Sequence, residues 1–214
     1  NQNGKEEVVE ADALFVAVGR QGNIEDIGLE ELGIKTERSY IQTTDDYGRT
    51  GVDGIFAIGD VIGKQMLAHT AMHQGIVIAE LLAGEKPEAL NLLNVPNVTF
   101  CHPEIGSVGL TEKAATEQGH TIKVGKFPLQ ANGKALIEGE ADGFIKVVAD
   151  SDTNDILGVH MIGGHATELI GEAALAKLLE ATPWEVGLSV HPHPTISEVL
   201  GEAANAVDGM AIHI

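Results

Sequence analysis

Leu14, Phe15, Val16, Ala17 and Val18 follow one another without a polar break and end at Gly19 and Arg20. A continuous apolar run of this kind predicts a strand buried on both faces, and such a strand needs sheet neighbours along its two edges. The seven residues from Asn1 to Glu7 are polar and too few to supply them, so the expectation is that the biological protein begins upstream of Asn1. A second run, Gly54, Ile55, Phe56, Ala57 and Ile58, closed by Gly59 and Asp60, predicts another strand of the same type. Between the two, residues 24–32 predict a short helix stopped by Gly33, and residues 40–43 a strand. Residues 66–83 predict a longer helix ended by Gly84. Ala68, Ala71, Met72, Gly75, Ala79 and Leu82 recur on one of its faces, small enough for close packing.

The composition shifts between Pro87 and Pro96, and the pattern beyond is one of short strands followed by helices. Strands are predicted at residues 97–101, 105–110, 121–127, 135–140, 144–149 and 156–162. Helices are predicted at 112–118 behind Thr111 as N-cap, at 166–180, at 183–188 and at 195–207. Residues 150–155 suit a hairpin loop. This order predicts an α+β domain built on an antiparallel sheet, preceded by segments of α/β type.

Composition narrows the function. Thirteen Lys and Arg stand against 32 Asp and Glu, a formal net charge of −19, which disfavours nucleic-acid and anionic-membrane surfaces. No apolar run is long enough to span a bilayer. Cys101 is the 1 cysteine, so this chain forms no internal disulfide, and a cytoplasmic location is the expectation.

The densest chemical cluster is His191, Pro192, His193, Pro194, Thr195, Ile196, Ser197 and Glu198. A histidine held ahead of a helix, with a carboxylate on its first turn, forms an oriented base: the carboxylate fixes one ring nitrogen and the other takes a proton. The plainer reading is a capping box, Thr195-x-x-Glu198, with a surface histidine beside it. A third reading makes His191, His193 and Glu198 metal ligands, but no further ligand is evident, and no metal is expected. Thr182, Pro183, Trp184 and Glu185 form a comparable capping box without attendant chemistry, with Trp184 a packing or interface anchor. The second cluster is Asp60 with Met66, Leu67, Ala68 and His69. An acid at the carboxyl end of a strand suits a sugar or ribityl hydroxyl, and a helix start offers free amides; an ordinary strand end and helix start is the alternative. Gly19 marks either a nucleotide-facing turn or only a tight one.

Three runs occur in one order with a fourth: Ala57-Ile58-Gly59-Asp60-Val61, Met66-Leu67-Ala68-His69, His193-Pro194-Thr195-x-x-Glu198, and Cys101-His102-Pro103-Glu104-Ile105-Gly106-Ser107-Val108-Gly109. Together they resemble the C-terminal half of the dihydrolipoyl dehydrogenase family, the flavoprotein E3 components of 2-oxo acid dehydrogenase complexes. The texture of residues 155–160 and 181–187 resembles the bacterial branched-chain type. The resemblance implies that residues 1–20 end an NAD-binding domain, 21–93 complete an FAD-binding domain, and 94–214 form a dimerisation domain. It implies Gly19 near NAD, Asp60 on the ribityl chain of FAD, and Met66, Leu67, Ala68 and His69 beside the flavin ring. His193 is then the base that deprotonates dihydrolipoamide and Glu198 its orienting partner, delivered across a homodimer interface. The lipoyl domain of the E2 acyltransferase is the implied partner. The family's glycine fingerprints and redox cysteine pair are not in this sequence, so the chain by itself is expected to be inactive. Cys101 is expected to be a buried structural residue. An isolated dimerisation or scaffold module, or another disulfide reductase of the same family, are the alternatives.

Overall fold

A computed structural model describes Gly4 and residues 6–214, and the chain divides into two compact units, residues 1–89 and 90–214. The fold is α+β. In the first unit, residues 14–18 form no strand: Leu14 is 88% and Phe15 90% exposed. A strand exists only through a ladder, and among the described residues none runs beside this segment, so its apolar side chains stay unburied. Residues 24–32 form turns rather than a helix. Asp26 and Gly28 adopt positive φ, which interrupts an α-helical run, yet Leu29 and Ile34 still join Ile41 and Ala57 in a small core. Two short antiparallel strands, β1 (Thr36–Glu37) and β2 (Tyr40–Ile41), make a hairpin. The strand expected at residues 54–58 reduces to a single antiparallel bridge between Arg49 and Phe56, with Ala57 N–H donating to Gly48 O.

Helix α1 (Ala68–Leu82) lies where the sequence places it, and Gly84 turns the chain away with φ 90°. Of its small-residue face, Ala71 and Gly75 lie against Gly59 and Ile58. Met72 and Leu82 of that face are exposed.

The second unit is a five-stranded antiparallel sheet in the order β3 (Asn97–Thr99), β4 (Ile105–Gly109), β7 (Ile156–Ile162), β6 (Phe144–Asp150), β5 (Ile122–Pro128). Alternation assigns its two faces. Ile145, Val147 and Ala149 of β6 pack with Val159, Met161, Ile170, Ala173, Val199, Leu200 and Ala203, which places α4 (Ala166–Leu178) and α6 (Glu198–Ala206) over the main core. Val148, between them in sequence, instead meets Leu110 and Ala115, the latter in α2 (Glu112–Glu117). Thr111 caps α2 by accepting from Ala114 N–H. The short helix α5 (Pro183–Leu188) packs against α6 and is opened by the Thr182–Glu185 capping box with Pro183 first.

Residues 135–140, expected as a strand, fall instead in a helix, α3 (Gly133–Glu138), and the turn that ends it. Asn132 accepts from Ala135 N–H at 2.8 Å and Gly139 closes the helix with φ 75°. Asparagine as N-cap and glycine just past the end are the local signals that outweigh the apolar run Ala135, Leu136, Ile137.

Helix α4 is capped from a distant segment. Its N-cap, His165, supplies no side-chain cap, and the Glu104 carboxylate accepts instead from Thr167 N–H at 3.0 Å and from Thr167 Oγ1–H at 2.7 Å. The Thr167 hydroxyl and amide bonds hold the Glu104 carboxyl below its ordinary range, outweighing burial. A depressed folded pKa gives stability that is present above the unfolded value and lost as pH falls through the lowered one. Glu104→Ala is therefore expected to cost about 1 kcal/mol at pH 7, the scale of a lost cap. Urea melts at pH 7 and pH 3 should show the difference shrinking at the lower pH. An equal difference at both pH values contradicts the cap.

Among the described residues, no helix is long and apolar enough to cross a membrane.

Candidate functional site

The chain enters α6 through Pro192, His193, Pro194 and Thr195, and the helix starts at Glu198 rather than at Thr195. This shift changes what the Thr195–Glu198 pair does. Thr195 Oγ1 donates to Pro192 O at 2.7 Å, holding the turn, while Thr195 N–H donates to Glu198 Oε2 at 2.9 Å. Only the glutamate half of a capping box is therefore made. The other carboxylate oxygen, Oε1, lies 2.9 Å from His193 Nδ1. The two roles that the sequence sets in competition for one carboxylate are thus divided between its two oxygens.

A carboxylate only accepts, so Nδ1 of His193 is the donor and the neutral ring keeps its proton there, leaving Nε2 with the lone pair. The His193 side chain is 80% exposed and that of Glu198 26%. Burial pushes the Glu198 carboxyl up, but the Thr195 amide, the His193 bond and the neighbouring His193 and His213 rings outweigh it and hold the group below its usual range. Glu198 is consequently a carboxylate at neutral pH, beside an accessible imidazole whose free nitrogen is basic. Such a pair can take a proton from a group that reaches the surface.

The His-x-His spacing does not bring its two rings together on a shared partner. His191 Nε2 pairs with Glu172 Oε1 on α4 at 2.9 Å, while His193 pairs with Glu198. No cluster of three or more metal-ligating side chains occurs among the described residues. Cys101, expected to be buried, is exposed. It lies in the bend after the edge strand β3, where Sγ–H donates to Pro103 O at 3.0 Å.

The second cluster lies in the first unit. Asp60 stands in a 3-10 turn, Gly59–Ile62, entered through Gly59 at φ 71°. A side chain at Gly59 would place its Cβ 3.0 Å from the Ala71 Cβ, so the glycine allows α1 its approach. Leu67 is the N-cap of α1 and Ala68 its first residue, with no side chain capping the helix start. Arg20, which no local pattern marks as part of this cluster, joins it. Its guanidinium donates to Met66 O at 2.7 Å and lies 3.5 Å from Asp60 Oδ2, and Tyr40 Oη–H donates to Arg20 O. Gly19, at φ 145°, precedes Arg20 directly, so Gly19, Asp60 and Met66 belong to one neighbourhood. Thr70 is buried on the first turn of α1, and its hydroxyl, like the Gln65 side-chain oxygen, has no hydrogen-bond partner among the described residues. Buried polar atoms without partners are rare and accord with a polar ligand at this helix start.

The model of the pyridine nucleotide-disulphide oxidoreductase dimerisation domain matches residues 95–204, and a second pyridine nucleotide-disulphide oxidoreductase model matches residues 1–75. The chain is 54% identical over 212 residues to the dihydrolipoyl dehydrogenase of Bacillus subtilis, covering 99% of this chain and 44% of that protein. To the dihydrolipoyl dehydrogenase of Thermus scotoductus it is 48% identical, covering 100% of this chain and 46% of that one. Among solved structures it is similar to the HOCl-induced flavoprotein disulfide reductase RclA of Escherichia coli. The TM-score is 0.83 at 26% identity, over 91% of this chain and 45% of that one. The chain thus spans less than half the length of these relatives.

Proposed function

The chain belongs to the pyridine nucleotide-disulphide oxidoreductase family, and from that premise we propose that it is the C-terminal part of a dihydrolipoyl dehydrogenase. The parent reaction converts protein-bound dihydrolipoamide and NAD⁺ into lipoamide, NADH and a proton. In this reading residues 1–20 end the NAD-binding domain, 21–93 complete the FAD-binding domain and 94–214 are the dimerisation domain. The observation that carries the reading is the exposed His193 imidazole, oriented by an ionised Glu198. Nε2 takes the proton of a dihydrolipoamide thiol, and the thiolate so formed is the reactive nucleophile. Glu198 stabilises the imidazolium that results.

FAD suits the first unit's cluster. Asp60 would accept from ribityl hydroxyls. The start of α1 at Ala68 and His69, with Leu67 and Met66 beside it, would face the polar edge of the ring, and the Thr70 hydroxyl, unpartnered among the described residues, accords with a polar group there. Bound, the flavin would carry electrons from the reduced thiols toward NAD; Gly19 would lie near that nucleotide. A homodimer is supported by the apolar side chains that Leu175, Leu178, Trp184, Leu188 and Val190 leave exposed, and His193 would act in the partner's site. The lipoyl domain of an E2 acyltransferase is the proposed protein partner and the cytoplasm the proposed location.

The test is a chimera in which this chain replaces the matching stretch of the Bacillus subtilis enzyme. A flavin-loaded chimera is expected to reduce NAD⁺ with dihydrolipoamide, whereas the 214-residue chain alone is expected to give no turnover, since one cysteine forms no internal redox disulfide. A folded, flavin-loaded and dimeric chimera without turnover overturns the catalytic reading and leaves a dimerisation module.

A further inference from the structure

A second histidine–glutamate pair stands two residues before the first. His191 is almost wholly enclosed, its side chain 9% exposed, with Nε2 at 2.9 Å from Glu172 Oε1 on α4. The ring also lies against α6. A Cβ built on Gly201 would sit 3.2 Å from both Cε1 and Nδ1 of His191 and 3.8 Å from Val186 O on α5. Gly201 is buried within a helix and has no positive φ, so its missing side chain serves space rather than backbone conformation. His191 is thus held between α4 and α6 at the point where the chain leaves them for the exposed turn.

The far end of that turn is held equally firmly. Thr195 O accepts from the side-chain amide of Asn132 at 3.0 Å, and Thr195 bonds back to Pro192 O and to Glu198. His193 lies between these anchors, solvent-exposed, with the Glu198 carboxylate as its side-chain hydrogen-bond partner. An exposed side chain with one such partner is placed by its backbone, and here the backbone is placed by what is buried on either side.

We propose that His191, clamped by Glu172 and seated on Gly201, is a positioning residue that fixes the turn carrying His193 and so sets the location of the base relative to its thiol substrate. The inference rests on the reading of His193 as the base. It also gives Gly201 a role: any side chain there moves the His191 ring, and through the ring the turn. Transfer of a proton demands hydrogen-bond reach, and a displacement of about 1 Å costs up to about 100-fold in rate. His191 itself touches no reacting atom.

The experiment compares His191→Ala, His191→Gln, Gly201→Ala and His193→Gln in the flavin-loaded chimera. It is accompanied by ¹⁵N spectra of histidine side chains in the 214-residue chain, which read the ring without any turnover. His191→Ala is expected to lower kcat about tenfold or more with the KM for NAD⁺ unchanged, and to release the His193 ring from its fixed Nδ1–H form. His191→Gln, whose amide still donates to Glu172, is expected to recover most of the loss. Gly201→Ala keeps both histidines and displaces the ring by tenths of an ångström, so a few-fold fall in kcat is expected even where His191→Ala folds poorly. Loss of turnover in His193→Gln, with His191→Ala and Gly201→Ala both within twofold of the parent and the His193 ring still fixed, overturns the positioning role alone. Full turnover in His193→Gln overturns the base assignment, and the inference with it.

Discussion

Replacing His193 by glutamine in the active chimera is expected to lower kcat by about 10²–10⁴-fold, the usual worth of a positioned general base. Glutamine is close in size and its amide still donates to Glu198, so the turn should persist. What disappears is the nitrogen lone pair. Glu198→Gln separates orientation from basicity: the ring keeps its lone pair but loses its charged partner, and a smaller fall, up to about 100-fold, is expected. The pH dependence has a definite sign. Because Glu198 is held below the ordinary carboxylate range, it remains ionised as pH falls through that range, and its support for the ring is lost only below the lowered value. Stopped-flow measurement of thiol oxidation, which isolates the step before NAD⁺ reduction, is the direct readout. A His193→Gln variant within threefold of the parent in that step would remove the base from the mechanism.

The features of this molecule that are legible in its sequence are those in which local chemistry and tertiary role coincide. Pro183 at the start of α5 and the Thr182–Glu185 box mark that helix to the residue, and the run of residues 144–149 is read as the strand that Phe144–Asp150 forms. Where a role depends on a remote partner, the local pattern misleads. Leu14 to Val18 have the composition of a buried strand, but burial is supplied by neighbouring strands, and no described residue supplies it. Ala135, Leu136 and Ile137 read as a strand because apolar runs of that length do not discriminate; the Asn132 cap and Gly139 stop decide for a helix. At the site, the His193–Glu198 pair is legible because five residues separate its members. Arg20 reaches across 46 residues to Met66 and His191 across 19 to Glu172, and no periodicity in the intervening chain announces either. The resemblance implies a buried Cys101, and the bend after the edge strand leaves it exposed instead.

Leu200→Ala is expected to destabilise the second unit by about 2–5 kcal/mol, the range for deleting a leucine from a packed interior. Leu200 is 1% exposed on α6, among the side chains that seat this helix on the sheet. The upper part of the range is the expectation, because the site has little freedom to collapse. A Cβ on Gly125 of β5 would lie 2.2 Å from Ala203 O, so helix and strand backbones are already as close as glycine permits. The 1 tryptophan of the chain, Trp184, sits on α5, which packs against α6, so its fluorescence in a urea titration follows this unit specifically. The cost is also functional. Glu198 opens the same helix one turn or less before Leu200, and loosening the seat of α6 loosens the carboxylate that orients His193. Destabilisation below about 1 kcal/mol would mean that α6 repacks on the sheet. The His193–Glu198 geometry would then have to be sustained by the turn anchors at His191 and Thr195 rather than by the core.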